Sequence, residues 1–323
     1  MSRALIVGSV AFDLIFPIHG KIQDEILVEK DGTLGRQNLM FTAKSKERFF
    51  GGTGGNIAYG LGLLGAKPLL FSLTGKDFHG EFETHLAKSG VDNRIVTDEQ
   101  GWTATFYGMS DEKGQQIGVY QPNAYEKIDS YSLSETLTNK DFASIGIAIF
   151  SAGTGKSIYR QMKELRERCG KEVTIIFDPG QVISIFYDKA LLEKTLALAD
   201  IFIGNEVEIK QLQTILGYNI EKVLRSNISA VIETLGEKGS VIYTQNKKIV
   251  FTYDRTQILS FQKIFIKAVT AKKVVETTGA GDAYRAGMTY KLLQGKSLKT
   301  ACEFGAKVAA KSVSFRGAQT YRL

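Results

Sequence analysis

Cysteine is nearly absent: two residues in 323, Cys169 and Cys302. Two thiols cannot build the network of bridges that holds small secreted domains together, and no Cys/His cluster has zinc-ligand spacing. A reducing, cytoplasmic setting is expected. Proline is scarce as well, at four residues, and no low-complexity stretch marks a linker. A single domain over residues 1–323 is therefore expected. Long apolar runs are missing too; none reaches the roughly 20 residues that cross a bilayer. The opening MSRALIVGSVAFD reaches Asp13 without a small-residue cleavage site, so it reads as a buried first strand rather than a signal peptide. No membrane partner is expected. Acidic residues fall short of basic ones, 34 against 41, for a net charge of +7. The excess sits at one end, where residues 263–323 hold twelve basic and three acidic side chains. Such a stretch can attract nucleic acid or a smaller polyanion such as a nucleotide. Its cations are interspersed with apolar residues rather than bunched in a tail, which argues against nucleic acid.

What is present is a rhythm. Apolar, β-branched runs at Ala4–Val10, Leu69–Thr74, Ile145–Phe150, Val173–Phe177, Ile201–Ile203, Ala230–Thr234 and Val241–Thr244 read as strands. Helical spacing appears at Asn56–Leu64, Phe78–Ser89, Ser157–Arg168, Lys189–Ala197, Val207–Leu216, Asp282–Leu293 and Leu298–Phe315. This alternation predicts a mostly parallel sheet with helices on both faces, a three-layer αβα sandwich. Two segments interrupt it. Residues 14–46 are polar and irregular, and residues 101–121 read as a hairpin turning at Asp111–Gly114. Both are expected to form a small β-lid over the carboxyl edge of the sheet, where open α/β folds bind ligands.

Several glycine-rich segments look alike by letter and differ in context. Gly60-Leu-Gly-Leu-Leu-Gly65 matches a dinucleotide fingerprint, but it lies inside an apolar helical run instead of between strand and helix. Its glycines are read as permitting close helix packing. Phe150-Ser-Ala-Gly-Thr-Gly-Lys-Ser157 sits where a P-loop belongs, yet Phe150 holds the place of the first glycine. Lys156 then reads as an ordinary first-turn lysine. Glu276-Thr-Thr-Gly-Ala-Gly-Asp282 follows the strand-like Lys273–Glu276 and opens a helix. The amides of Gly279, Ala280 and Gly281, aligned with the helix dipole, would form an anion hole. A carboxylate beside such a hole repels phosphate, so Asp282 is better suited to taking a proton from a hydroxyl that attacks a phosphoryl group. Gly51-Gly-Thr-Gly-Gly-Asn56 is the second small-residue cluster. It leaves backbone open to a ligand and offers Asn56 to vicinal hydroxyls.

Gly51–Gly65 and Thr277–Gly287 together resemble the PfkB, or ribokinase-like, carbohydrate kinases, over essentially the whole chain. The resemblance implies the ribokinase-like αβα fold with a β-lid. It also implies transfer of the γ-phosphoryl of ATP to a primary alcohol of a sugar or nucleoside. Asp282 would be the base and Gly279, Ala280 and Gly281 the anion hole. Asn205-Glu-Val-Glu208 resembles the family's N-x-x-E motif, which implies that Asn205 and Glu208 act on magnesium through its waters. Thr234-Leu-Gly-Glu-Lys-Gly239 resembles the nucleotide loop, with Thr234, Gly236 and Gly239 as contacts. Gly317-Ala-Gln319 resembles the ending found beside the nucleotide and a monovalent cation. Glu276 stands where the family has aspartate in that cation region, which implies an altered dependence on potassium.

Within the family the similarity is greatest to bacterial adenosine kinases. Ser9 and Asp13 match the opening whose aspartate holds ribose hydroxyls, joined by Gly52 and Asn56. Arg285 matches an arginine of those kinases. Phe106, Tyr120 and Tyr125 resemble aromatic walls around adenine, and flat rings suit a purine face. Gln181, in Asp178-Pro-Gly-Gln181, resembles a glutamine that approaches the base. The implied reaction is adenosine plus ATP to AMP plus ADP, by a monomer or homodimer. The rivals are another kinase of the family (for ribose, fructose, inosine or cytidine), a catalytically inactive ligand-binding regulator on the same fold, and a P-loop NTPase using Lys156.

Overall fold

The structure is a computed structural model that describes residues 2–26, 38–113, 115–226, 228–251 and 257–323. In chain order the strands are β1 (Arg3–Val7), β2 (Ala11–Pro17), β3 (Glu47–Gly51), β4 (Leu69–Phe71), β5 (Leu73–Gly75), β6 (Asp92–Asn93), β7 (Val96–Asp98), β8 (Ala104–Ser110), β9 (Gln116–Gln121), β10 (Ile145–Phe150), β11 (Thr174–Phe177), β12 (Ile201–Asn205), β13 (Ala230–Thr234), β14 (Ser240–Phe251) and β15 (Gln257–Ile266). The α-helices are α1 (Thr53–Leu63), α2 (Glu81–Lys88), α3 (Asn139–Ser144), α4 (Gly155–Cys169), α5 (Ile183–Phe186), α6 (Lys189–Leu196), α7 (Glu206–Leu216), α8 (Ile220–Leu224), α9 (Ala280–Leu293) and α10 (Leu298–Ser312).

Nine strands make the central sheet, in the order β15-β14-β13-β12-β11-β10-β1-β4-β6. Every neighbouring pair from β13 to β6 is parallel. The hairpin of β14 and β15 closes one side antiparallel. Parallel strands are covered on both faces, so they read as unbroken apolar runs. In β1, Ala4 and Ile6 face the core beneath α1, α2, α9 and α10, while Leu5 and Val7 face the one beneath α4, α6 and α7. The expected αβα sandwich is therefore present. Among the described residues no helix is long and apolar enough to cross a membrane.

Departures from expectation have local causes. The run Leu69–Thr74 breaks at Ser72 because its halves change partners: β4 pairs with β1, and β5 pairs with β7 in a separate two-stranded sheet. Lys273–Glu276 is not a strand; Val275 and Glu276 donate instead to the Val313 carbonyl at the end of α10.

A second sheet, ordered β3-β2-β8-β9, holds the two segments that broke the rhythm. Its first two strands lie at 11–17 and 47–51, so they straddle the expected 14–46 segment rather than fill it. Residues 27–37 of that segment, and Gly114 of the turn, lie outside the described residues. The hairpin of β8 and β9 is in place. At its turn the Asp111 carboxylate accepts the N–H groups of Ile22, Lys113 and Gln115 at 3.1, 2.8 and 2.9 Å.

Candidate active site

The parallel strands deliver their following loops to one edge. Ser9–Asp13 follows β1, Asp178–Gln181 follows β11, Asn205–Glu208 follows β12, and Thr234–Gly239 follows β13. The start of α9 reaches the same edge, because Asn56 Nδ2 donates to Asp282 Oδ2 at 2.8 Å.

Helix α9 opens without a side-chain cap. Gly279 precedes it at φ 75°, where a Cβ would lie 2.5 Å from the Ala318 Cβ. Both the left-handed backbone and the close approach require glycine. The Ala280 N–H, expected in the anion hole, donates instead to the Thr277 carbonyl at 3.1 Å and closes the turn, which leaves the Gly279 and Gly281 amides for that part. Asp282 follows in the first helical turn. It is half-buried. Removal from water pushes its pKa up to about 7, against the opposing pull of the Arg285 cation and the Asn56 hydrogen bond.

The Gly51–Asn56 cluster wraps the chain after β1. Gly52 has φ 82°, and a Cβ there would lie 2.5 Å from the Ser9 carbonyl oxygen. A Cβ on Gly51 would meet the Asp13 carboxylate at 2.2 Å, and one on Gly54 would meet Gly8. These glycines are therefore already required by the protein's own packing. The loop is tied down by Gly55 N–H to the Ser9 carbonyl at 3.1 Å. Ser9 is buried, and its hydroxyl lies 3.4 Å from that of Thr53. Further along α1, a Cβ on Gly60 would lie 2.7 Å from the Ala286 Cβ of α9, and one on Gly62 would lie 2.3 Å from the Ser89 carbonyl oxygen. Close packing is what those helix glycines serve.

The small sheet sets four residues in one row. Asp13 on β2 pairs laterally with Phe49 on β3 and Phe106 on β8, and Phe106 pairs with Tyr120 on β9. Residues in register share a face. The Phe106 ring lies over Gly118, where a Cβ would come within 2.4 Å of it. Asp13 is pushed up to about 7 by burial first, then by the charges of Asp282 and Glu276. Burial also raises the Tyr120 phenol, which sits near Ser9 and Asp13. Tyr125 is 5% exposed, with its hydroxyl 3.5 Å from the Ala152 carbonyl in the loop after β10 and its phenol near enough to that of Tyr120 to interact with it. Gln181 is exposed in the turn after β11.

Arg285 is buried and donates to Asp178 Oδ1 at 2.7 Å, and its Nε pairs with the other Asp178 oxygen. The Asp178 carboxyl is raised by burial and pulled back by Arg285. Glu208 is buried too, and is raised by burial first and by the Asp178 charge second. Asn205 and Glu208 form a reciprocal cap on α7. Asn205 Oδ1 accepts the Val207 and Glu208 N–H groups at 2.9 Å, and Glu208 Oε2 accepts the Asn205 N–H at 2.8 Å. With those atoms committed, and no group of three His, Cys, Asp or Glu among the described residues arranged around a metal, the donor set suits only an ion that keeps most of its own waters. Magnesium is such an ion.

The remaining expected residues frame one flank. Thr234 donates to the Gly204 carbonyl at 3.4 Å, and Gly236 and Gly239 hold positive φ in the turn to β14. Glu276 Oε2 accepts the Gly317 N–H at 2.9 Å, so protein contacts close that loop. Gln319 is turned inward beneath the Gly51–Asn56 loop, donating to Gly51 O at 3.2 Å and Asn56 Oδ1 at 3.0 Å. Sequence reasoning missed Phe49 in the aromatic row. It also missed Asp178 as the partner of Arg285. The alternation of β3 could have flagged Phe49; nothing local flags a pairing across 107 residues.

The model of the pfkB family carbohydrate kinases matches residues 4–322. A nucleoside kinase of Methanothermobacter thermautotrophicus is 29% identical over 320 residues, covering 98% of this chain and 91% of the relative. The solved structure of Burkholderia thailandensis nucleoside kinase in complex with inosine superposes with a TM-score of 0.79 at 27% identity, over 99% of this chain and 93% of that one. The nucleoside kinase of Methanocaldococcus jannaschii, described as an archaeal member of the ribokinase family, gives 0.81 at 25% identity, over 100% and 95%.

Proposed function

The chain belongs to the pfkB family of carbohydrate kinases, and from that premise we propose that it phosphorylates the 5′-hydroxyl of a purine nucleoside, adenosine first, using ATP. The observation that carries this reading is the row Phe49–Asp13–Phe106–Tyr120 on one face of the small sheet. It sets a carboxylate suited to vicinal ribose hydroxyls among rings suited to a base. A bare sugar does not need those rings. The relatives are named nucleoside kinases, broader than the adenosine kinases the sequence resembles. Inosine, held by the Burkholderia enzyme, is the second acceptor to test.

In this reading the small sheet, with its hairpin at 101–121, acts as a lid. Asp13, the Gly52 backbone and Asn56 hold the ribose, and the base lies along Phe106 and Tyr120. Asp282 accepts the 5′-hydroxyl proton as that oxygen attacks the γ-phosphorus, and ADP leaves. A base whose pKa is about 7 is matched to proton transfer at neutral pH. The uncapped start of α9 meets the developing negative charge with its Gly279 and Gly281 amides. Asn205 and Glu208 would hold magnesium through its waters, and the ion would supply charge neutralisation for the phosphates. Arg285 acts at one remove: its cation faces Asp178 rather than open solvent, and it favours the ionised form of Asp282. Lid closure would exclude the water that otherwise hydrolyses ATP.

The test is a phosphorylation screen with ATP and magnesium across nucleosides and sugars. Adenosine or inosine should give the highest kcat/KM. A preference for ribose or fructose would overturn the nucleoside reading. Absence of ADP formation with every acceptor in the panel would leave the inactive regulator as the better account.

A further inference from the structure

A chain of side-chain amides runs from the C-terminal segment to Asp282, and its direction is fixed by chemistry. The Gly51 carbonyl can only accept, so the Gln319 atom 3.2 Å from it must be the Nε2 amide nitrogen. That nitrogen's second proton goes to Asn56 Oδ1 at 3.0 Å. Asn56 must then turn its own Nδ2 toward Asp282 Oδ2, 2.8 Å away. The Asn56 backbone is anchored by its N–H to the Gly52 carbonyl at 2.8 Å. Gln319 and Asn56 are 2% and 6% exposed, so water does not compete for these groups. The niche is built for the amide: a Cβ on Gly55 would come 3.0 Å from Gln319 Nε2. At the far end Gln319 faces the half-buried His85, whose pKa is lowered by burial against the opposing effect of Gln319.

We propose that Gln319 is a positioning residue for phosphoryl transfer: it dictates which end of the Asn56 amide faces Asp282, and so holds that carboxylate by a donor. Without it the Asn56 amide is free to rotate and present its oxygen, and two acceptors then repel. The groups facing Asp282 from other elements are Asp178 after β11, Glu208 on α7 and Asp13 on β2, with Arg285 on its own helix. Arg285 supplies the cation, but Asn56 is the donor in hydrogen-bond contact with the carboxylate. The inference rests on Asp282 as the base, which Asp282→Asn in the same turnover assay tests separately: wild-type turnover in that variant ends the base assignment, whereas the Asn56 pair reports on Gln319 alone.

The test uses the full chain, wild type, Gln319→Leu and Gln319→Glu, with two readouts. One is the side-chain ¹H–¹⁵N pair of Asn56 without substrate, assigned by its loss in Asn56→Ser. The other is turnover of adenosine with ATP and magnesium. In wild type the pair should be split and protected from solvent exchange. Gln319→Leu should lose that protection and lower kcat roughly 10-fold or more, the worth of one hydrogen bond to a charged group, with KM for ATP unchanged. Gln319→Glu, which replaces the donor by acceptors, should lower kcat further. An averaged, unprotected Asn56 pair in wild type overturns the proposal whatever the variants do. So does Gln319→Leu with wild-type kcat and an intact pair. Wild type that phosphorylates a sugar but no nucleoside refutes only the acceptor assignment, and the variant ratios are then read on that sugar. Loss of folded protein with KM and kcat per folded molecule unchanged marks Gln319 as structural and also overturns it.

Discussion

Two helices start at the carboxyl edge behind sequences that both look like phosphate loops, and they are built in opposite ways. Helix α4 follows Ser151-Ala-Gly-Thr-Gly and carries Lys156 in its first turn. Its start is closed: the Thr154 side chain accepts the Ser157 N–H at 3.3 Å, and a Cβ on Gly155 would strike the Phe186 carbonyl oxygen at 2.4 Å. Helix α9 follows Thr-Gly-Ala-Gly, has no side-chain cap, and its first-turn aspartate is held by Asn56 from another helix. A side-chain cap takes up one of the orphan N–H groups of a helix start, whereas an uncapped start still has that donor to offer. The comparison shows that similar glycine-rich letters can precede helix starts of different build. What matters is whether the fold leaves the amides unused and brings a titratable group beside them.

The sharpest way to break this contrast is Asp282→Asn. It keeps the shape of the α9 start and removes the proposed base, so kcat should fall roughly 10²- to 10⁴-fold while nucleoside still binds, as measured by turnover and calorimetry on one preparation. Wild-type turnover would end the assignment. Next comes the ribose side. Asp13→Ala should raise KM for adenosine roughly 10- to 100-fold, the worth of hydrogen bonds to a charged group, with a smaller change in kcat. An unchanged KM would remove Asp13 from the acceptor site. The Arg285–Asp178 pair tests the ground beneath α9. Arg285→Met strands a buried carboxylate and should cost about 3–5 kcal/mol of stability, read from chemical denaturation; replacing both partners by apolar residues should recover much of it.

Proton affinity distinguishes the two helix starts without a mutation. Asp282 and Asp13 are each raised to about 7, and a base works only when ionised. The acid limb of kcat/KM should therefore fall near pH 7, with activity lost as pH drops below it. The limb belongs to the coupled pair rather than to either residue. Linkage gives a second sign. A carboxylate raised above its unfolded value favours the folded state most below that unfolded value, and loses this contribution as pH climbs through the folded one. Asp282→Asn should therefore raise Tm at pH 8 relative to wild type, and leave it nearly unchanged at pH 4.

Much of this was legible in the residue order. Unbroken β-branched runs between helical patterns specify buried parallel strands, and the central sheet follows from them. The Asn205/Glu208 reciprocal cap is an N-x-x-E pattern within four residues, so it can be read locally. The Gly279–Asp282 start was legible because strain, small size and charge coincide in four letters. What stayed hidden is tertiary. Gln319 meets Asn56 across 263 residues, and Arg285 meets Asp178 across 107. No periodicity encodes which way an amide or guanidinium turns.

The smallest expected effect is the most direct check on the contrast. Lys156 is exposed, and the helix start beside it is already capped. A lysine that gripped phosphate would need its neighbouring amides free, and here the Ser157 N–H is committed to Thr154. Lys156→Ala removes an exposed charge and no buried contact. Turnover should stay within about twofold of wild type, the usual range for a surface change. Loss of activity in that variant would make the α4 loop the phosphate site and strip Asp282 of its assigned part. A silent Lys156→Ala alongside an inactive Asp282→Asn leaves α9 as the helix start that does the chemistry.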